Sequence, residues 1–210
     1  MVRRSQVMLA AFGSLLMLAI SVPTTATAQA DDIKNTKHNF SALSGRDASF
    51  TDLSTRVADY GEICVYCHTP HGGQTAAPLW NRGFGAGPYT MYTSPTIDMT
   101  IGTSPGPVSL ACLSCHDGTI GIDVITNPPN SSAATSIGNT LAQIYPTGFD
   151  ALKMLGVDLR NDHPIAVTYD ITKDVAFNAQ ATVEAAGLKF YGAAKNEVQC
   201  ATCHNPHNKT

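Results

Sequence analysis

The sequence predicts a loop-rich fold with little regular secondary structure, in which a few short helices and strands pack around something other than one large apolar core. Three observations carry that expectation. The 210 residues include 17 glycines and 12 prolines, the residues that most often interrupt helices and strands. All six cysteines fall into three copies of one short pattern, C-x-x-C-H, beginning at residues 64, 112 and 200. The unequal gaps between the copies give no fixed internal period, so a regular solenoid is not expected. Seven histidines accompany the cysteines in a chain that is only 14% charged. A formal charge of -3 offers no basic footprint for nucleic acid, and the near-average composition sets aside collagen-like and highly charged disordered chains.

The first thirty residues read as an address. Arg3 and Arg4 precede an apolar run from Val7 to Ile20, and a polar stretch then leads to Ala28-Gln29-Ala30. This is the n-region, h-region and cleavage site of a secretory signal peptide. The run falls short of the ~20 residues that span a bilayer, which weighs against a membrane anchor. The expected organisation is therefore a cleaved signal peptide over 1–30 and a single domain over 31–210, exported to an oxidising compartment. Loss of Arg3 and Arg4 takes the charge from -3 to -5.

The cysteine pattern specifies a chemistry. Cys64-Val-Tyr-Cys67-His68, Cys112-Leu-Ser-Cys115-His116 and Cys200-Ala-Thr-Cys203-His204 each match the attachment signature of a c-type haem. Two thiols add across the two vinyl groups of the macrocycle, and the histidine that follows lies under the iron as its proximal ligand. Disulfides would suit an exported protein and zinc uses paired cysteines, but neither explains a histidine after every pair. A thioredoxin-like redox motif would come once, within a βαβ pattern that is absent here. The sequence thus predicts three haem c groups, with Cys64, Cys67, Cys112, Cys115, Cys200 and Cys203 as covalent attachment points and His68, His116 and His204 as proximal ligands.

Four histidines remain for three distal positions: His38, His71, His163 and His207. His71 follows His68 by three residues, as His207 follows His204, and so short a link cannot wrap to the opposite face of the same macrocycle. Each is expected to bind a haem other than the one its own motif holds, with Pro70 and Pro206 stiffening the link. His163 precedes Pro164, which favours an extended backbone there, and Asp162 is a candidate to orient its ring. His38 lies far enough before Cys64 to reach the distal face of the first haem. One of the four is spare or serves a neighbouring subunit. Methionine ligation would raise the potential, whereas the histidine surplus predicts bis-histidine haems of low potential.

Between the motifs the expected elements are short. A helix is expected near Asp52–Tyr60, loops over 72–108, a strand at Ile120–Ile125, a breaker cluster at Asn127–Thr135 and a helical turn at Ala151–Leu155. Val183–Tyr191 fits either a strand or a short helix. Trp80, Tyr66, Tyr89 and Tyr92 are expected to pack on haem edges, and Arg82 to meet a haem propionate or solvent.

Taken together, Cys64–His71, Leu79–Arg82, Cys112–Ile120, Asn161–Ile165 and Cys200–Asn208 resemble the small exported multihaem c-type cytochromes of bacteria that respire extracellular or insoluble acceptors. The resemblance spans most of residues 36 to 208 and implies a loop-rich multihaem cytochrome c. Some members of that group polymerise into extracellular filaments with stacked haems and with ligation across the subunit interface. The resemblance implies His38, His71, His163 and His207 as distal ligand candidates. Related tetrahaem chains carry a further C-x-x-C-H after the Asn-Pro-His segment, whereas this sequence stops at Thr210; it reads as a natural trihaem form or a shortened one. The expected function is electron transfer, without catalysis, through three bis-histidine haems in a subunit of an extracellular conductive filament. The alternative is a monomeric periplasmic shuttle, and a small haem reductase is the weakest reading. The expected partners are copies of itself and redox donor or acceptor proteins, with no nucleic acid and no stable membrane anchor, at the cell surface or outside it, or else in the periplasm.

Overall fold

The computed structural model describes residues 33–41, 55–75, 77–85, 87–129, 134–145 and 153–208. The predicted signal peptide lies outside them. Among the described residues, helices α1 (Pro107–His116), α2 (Leu141–Ile144), α3 (Gln180–Ala185) and α4 (Cys200–Cys203) are joined by loops, with 3₁₀ turns at Cys64–Tyr66 and Leu159–Asn161. Strands β1 (Val167–Thr168) and β2 (Glu197–Val198) form one antiparallel pair, Val167 opposite Val198. No described helix is long and apolar enough to cross a membrane.

The longest helix, α1, starts where its sequence directs. Gly106 is extended at the N-cap and Pro107 occupies the first turn, where a missing N–H costs nothing. Asp117 closes the helix by donating its N–H to the Leu113 carbonyl. Ser109, Ala111, Leu113 and Ser114 are buried, and α4 packs against α1. A polar knot ties the two helices. Gln199, just before α4, accepts the Ser109 hydroxyl at 2.6 Å and the Gly106 N–H at 3.2 Å, while Ser109 Oγ accepts the Cys200 N–H at 3.0 Å. The arrangement brings the second and third cysteine motifs side by side.

Two small apolar clusters replace a single core. One gathers Val57, Tyr60, Val65, Tyr66, Ile122, Leu141 and Ile144, with Cys67 and Cys115 against it. The other gathers Met91, Leu113, Leu159, Ile165 and Ala166, with Cys200 against it. The first cluster therefore borders the cysteines of two motifs, and the second borders a cysteine of the third.

The segment Ile120–Ile125, which alternates like a strand, is not one. The Gly121 and Ile122 carbonyls are taken by Arg82 and the Ile122 N–H by the Asn139 carbonyl, so no ladder forms. Nor does a helix run to Tyr60. Residues 58–60 are irregular, with the Ala58 N–H bound by the Asp123 carboxylate at 2.7 Å; residues 52–54 lie outside the described set. Of Ala151–Leu155, residues 154 and 155 are irregular and 151–152 are not described. Val183–Tyr191 divides between the end of α3 and a bridge of Tyr191 to Glu197.

Close approach makes Gly121 irreplaceable. A Cβ there would lie 2.5 Å from the Gly138 backbone carbonyl, far inside van der Waals contact. Gly121→Ala is expected to lower stability by about 1–3 kcal/mol, measured by thermal unfolding against the parent protein.

Candidate functional site

Each C-x-x-C-H copy occupies one helical turn. In the first, the His68 N–H donates to the Cys64 carbonyl at 2.8 Å; in the third, the His204 N–H donates to the Cys200 carbonyl at 3.0 Å. The second copy ends α1. A helical turn puts residues three apart on one face, so both thiols of each copy face the same side with the histidine just beyond. None of the six cysteines is in a disulfide. Burial pushes the Cys67 thiol up to about 12 and raises Cys115; Cys112 is raised by its hydrogen bond to Cys200 and by burial. Protonated, buried thiols are poor nucleophiles for disulfide exchange.

The histidines are brought together in pairs. The rings of His38 and His116 have centroids 6.3 Å apart, those of His68 and His207 6.3 Å, and those of His163 and His204 6.1 Å. An imidazole nitrogen binds a transition metal at about 2 Å and its ring centre lies about 1 Å behind, so two imidazoles on opposite sides of one ion have centres about 6 Å apart. All three pairs match that separation. Each joins one motif histidine to one from outside a motif, across long stretches of chain.

Hydrogen bonds orient several of these rings. His68 Nδ1 lies 3.1 Å from the Pro78 carbonyl, His116 Nδ1 2.7 Å from the Lys153 carbonyl and His207 Nδ1 3.2 Å from Asn205 Oδ1. Oxygens of this kind only accept, so Nδ1 carries the proton and Nε2 keeps its lone pair for a metal. Burial, with the charges of His116, His207 and Lys153, pulls His38 down to about 4. Burial and His68 also lower His207. Both shifts favour neutral imidazole, the form that ligates.

His38 faces the second motif histidine, not the first. Its tether length permits either, and the fold of 33–41, in which Asn39 Nδ2 donates to the Lys34 carbonyl and Asn39 Oδ1 accepts from Ser41, turns the ring towards His116. His207 faces His68, a motif other than its own. His71 is exposed, and no described ring stands opposite it. Asp162 makes no hydrogen bond to the His163 ring, and its Oδ2 is buried without a partner.

Other expectations shift as well. Arg82 is fully buried and meets neither solvent nor an open edge: its guanidinium donates to Ser114 Oγ and to the carbonyls of Ser114, Gly121 and Ile122. Tyr66 belongs to an apolar cluster, its hydroxyl donating to the Ala58 carbonyl at 2.9 Å. Tyr89 donates to the Asp117 carboxylate at 2.7 Å. Trp80 lies edge-on to His68 with centroids 5.8 Å apart. Sequence reasoning missed Asn81, whose N–H donates to the Cys67 carbonyl and whose Nδ2 donates to the Val65 carbonyl. It also missed Asp123; a carboxylate amid apolar neighbours was the available signal.

A c-type haem fits this donor set. Its macrocycle supplies four nitrogens, so the protein needs only two axial ligands. Among the described residues no cluster of three or more His, Cys, Asp or Glu is gathered for a bare ion, and a pair of imidazoles is what a haem takes. The Trp80 indole N–H is buried without an acceptor, and a propionate beside the His68 pair would supply one. The partnerless oxygens of Asp162 and Asn208 need donors, which an ionised haem does not provide. A groove of about 590 Å³ lined by Leu155, Gly156, Val157, Asp158, Arg160 and Asn161 opens beside this region, with the Leu155 N–H bound to the His116 carbonyl at 2.7 Å. No protein-family model matches the chain, and no curated protein matches it either.

Proposed function

We propose that the chain is an electron-transfer protein carrying three covalent c-type haems, each between two imidazoles supplied by the chain itself: His68 with His207, His116 with His38, and His204 with His163. The observation that carries this reading is the triple recurrence of one ring separation, 6.1 to 6.3 Å, always between a C-x-x-C-H histidine and another. When bound, the haem iron supplies one-electron exchange between its ferric and ferrous states. The chain's own residues supply the rest. The cysteines would tether the macrocycle and the paired imidazoles would hold its iron, while the carbonyls at Pro78 and Lys153 orient the His68 and His116 rings.

In this reading two imidazoles would serve every iron, which would leave no position for a substrate and disfavours a reductase. The ligand set closes within one chain, as a freely diffusing periplasmic shuttle requires. Exposed His71 is the observation that favours the filament form, because it is the imidazole left to meet a haem of a neighbouring copy.

The test is direct. Protein purified from an export-competent host is expected to show three haems per chain by intact mass and by alkaline pyridine absorption, a wholly low-spin spectrum, and no response to carbon monoxide. Fewer haems, or a carbon monoxide complex in the parent protein, counts against the reading. Electron microscopy of the same material separates filaments from monomers.

A further inference from the structure

Arg82 is held in a place that its structural duties do not explain. It is fully buried, and among the described residues no carboxylate comes within ion-pair distance of it. Asp123, next to the Ile122 carbonyl that Arg82 binds, spends its oxygens on the N–H groups of Ala58, Ile137 and Gly138 and on Ser136. Asp117 spends its own on Tyr89 and Thr119. A neutral donor could satisfy the same carbonyls without the cost of burying a charge.

The location is specific. Ser114, which receives two of the guanidinium bonds, lies between Cys112 and Cys115 in the second motif. Asn81, the preceding residue, binds the Val65 and Cys67 carbonyls of the first. The dipeptide thus spans both motifs. Arg82 makes no hydrogen bond to residues 200–204.

We propose that Arg82 is a fixed positive charge that raises the reduction potentials of the first and second haems and leaves the third untouched. The inference rests on the three-haem reading. Taking one electron from an external reductant turns Fe(III) into Fe(II) and removes one positive charge from the haem. A nearby cation favours that state, and in a low-dielectric interior the effect is only weakly screened.

The test uses haem-loaded protein and a dithionite titration in an optically transparent electrochemical cell. Arg82→Met is expected to shift two of the three haem potentials downward and leave one where it was. Arg82→Lys, which keeps the charge and loses the fork, is expected to keep all three near their parental values while melting at lower temperature. Arg82→Gln is a second neutral variant if Arg82→Met fails to load its haems. With three haems retained, unchanged potentials in a neutral variant overturn the proposal. So does a downward shift in Arg82→Lys as large as in the neutral variant, which marks an effect of shape. Absence of haem from the parent protein instead overturns the three-haem reading.

Discussion

In His163→Ala, about one-third of the haem absorbance is expected to move from the low-spin to the high-spin form and to bind carbon monoxide, while the rest keeps the parental spectrum. The His163 and His204 rings stand 6.1 Å apart with planes only 19° from parallel, so on the three-haem reading removing one ring would free one side of a single iron. His38→Ala and His207→Ala are expected to do the same for the sites of His116 and His68. The His68 and His207 planes are 15° apart, whereas those of His38 and His116 are 59° apart, so the low-spin electron paramagnetic resonance signals lost in the three variants should differ. His71→Ala is expected to leave the spectrum of the monomer unchanged. A new high-spin signal in His71→Ala would reassign the pairs.

Asp123→Asn carries the second large effect, this time on stability. The carboxylate is fully buried, and both oxygens receive only donors. Oδ2 accepts the N–H groups of Ala58 at 2.7 Å and Ile137 at 2.8 Å; Oδ1 accepts the Gly138 N–H at 2.9 Å and the Ser136 hydroxyl at 3.0 Å. An asparagine must turn an NH₂ group towards two of these donors. Leaving buried groups unsatisfied in this way costs about 3–5 kcal/mol, which for a chain of this size lowers Tm by roughly 10 °C.

The same carboxylate sets a pH dependence. Burial pushes its pKa up, but the N–H groups of Ala58, Ile137 and Gly138 and the Ser136 hydroxyl outweigh burial and hold it below the usual 3.8. The unfolded chain therefore binds this proton more readily than the folded one. The stabilisation is fully present above pH 3.8 and is lost as pH falls through the folded value. Denaturant titrations should show the gap between parent and Asp123→Asn narrowing at about pH 3 relative to pH 7; a constant gap would show that the charge is not what matters.

The local geometry of the candidate site was legible because it is set within a few residues. Two cysteines and a histidine within five residues announce themselves, and the motifs fold as the single helical turns that hold their side chains together. Pairing was not legible, since it joins His68 to His207 and His38 to His116 through the tertiary fold. For His38, tether length sets only an upper bound on reach, and the turn stabilised by Thr36 and Asn39 decides the direction. Ile120–Ile125 shows the opposite failure. Its alternation of apolar residues suits a strand, but a strand needs a neighbour for its carbonyls, and Arg82, some forty residues earlier, has taken two of them. A buried arginine or asparagine serving backbone groups has no signature in spacing, which is why the roles of Arg82 and Asn81 had to be found in three dimensions, while for Asp123 the one hint was a carboxylate amid apolar neighbours.

Between the paired strands Val167–Thr168 and Glu197–Val198 the chain makes a long excursion that returns to where it left. Tyr169 gathers it, its ring 5.3 Å from that of Phe177 and 4.8 Å from that of Phe190, with its hydroxyl donating to the Asn178 carbonyl. Helix α3 within it buries nothing, and Val175 at its tip is fully exposed. Because its ends are pinned side by side and the ligand pairs lie elsewhere, this outlying lobe is a natural graft point. A peptide epitope or electrode anchor inserted at Val175 would give the protein an experimental handle while sparing the histidine pairs.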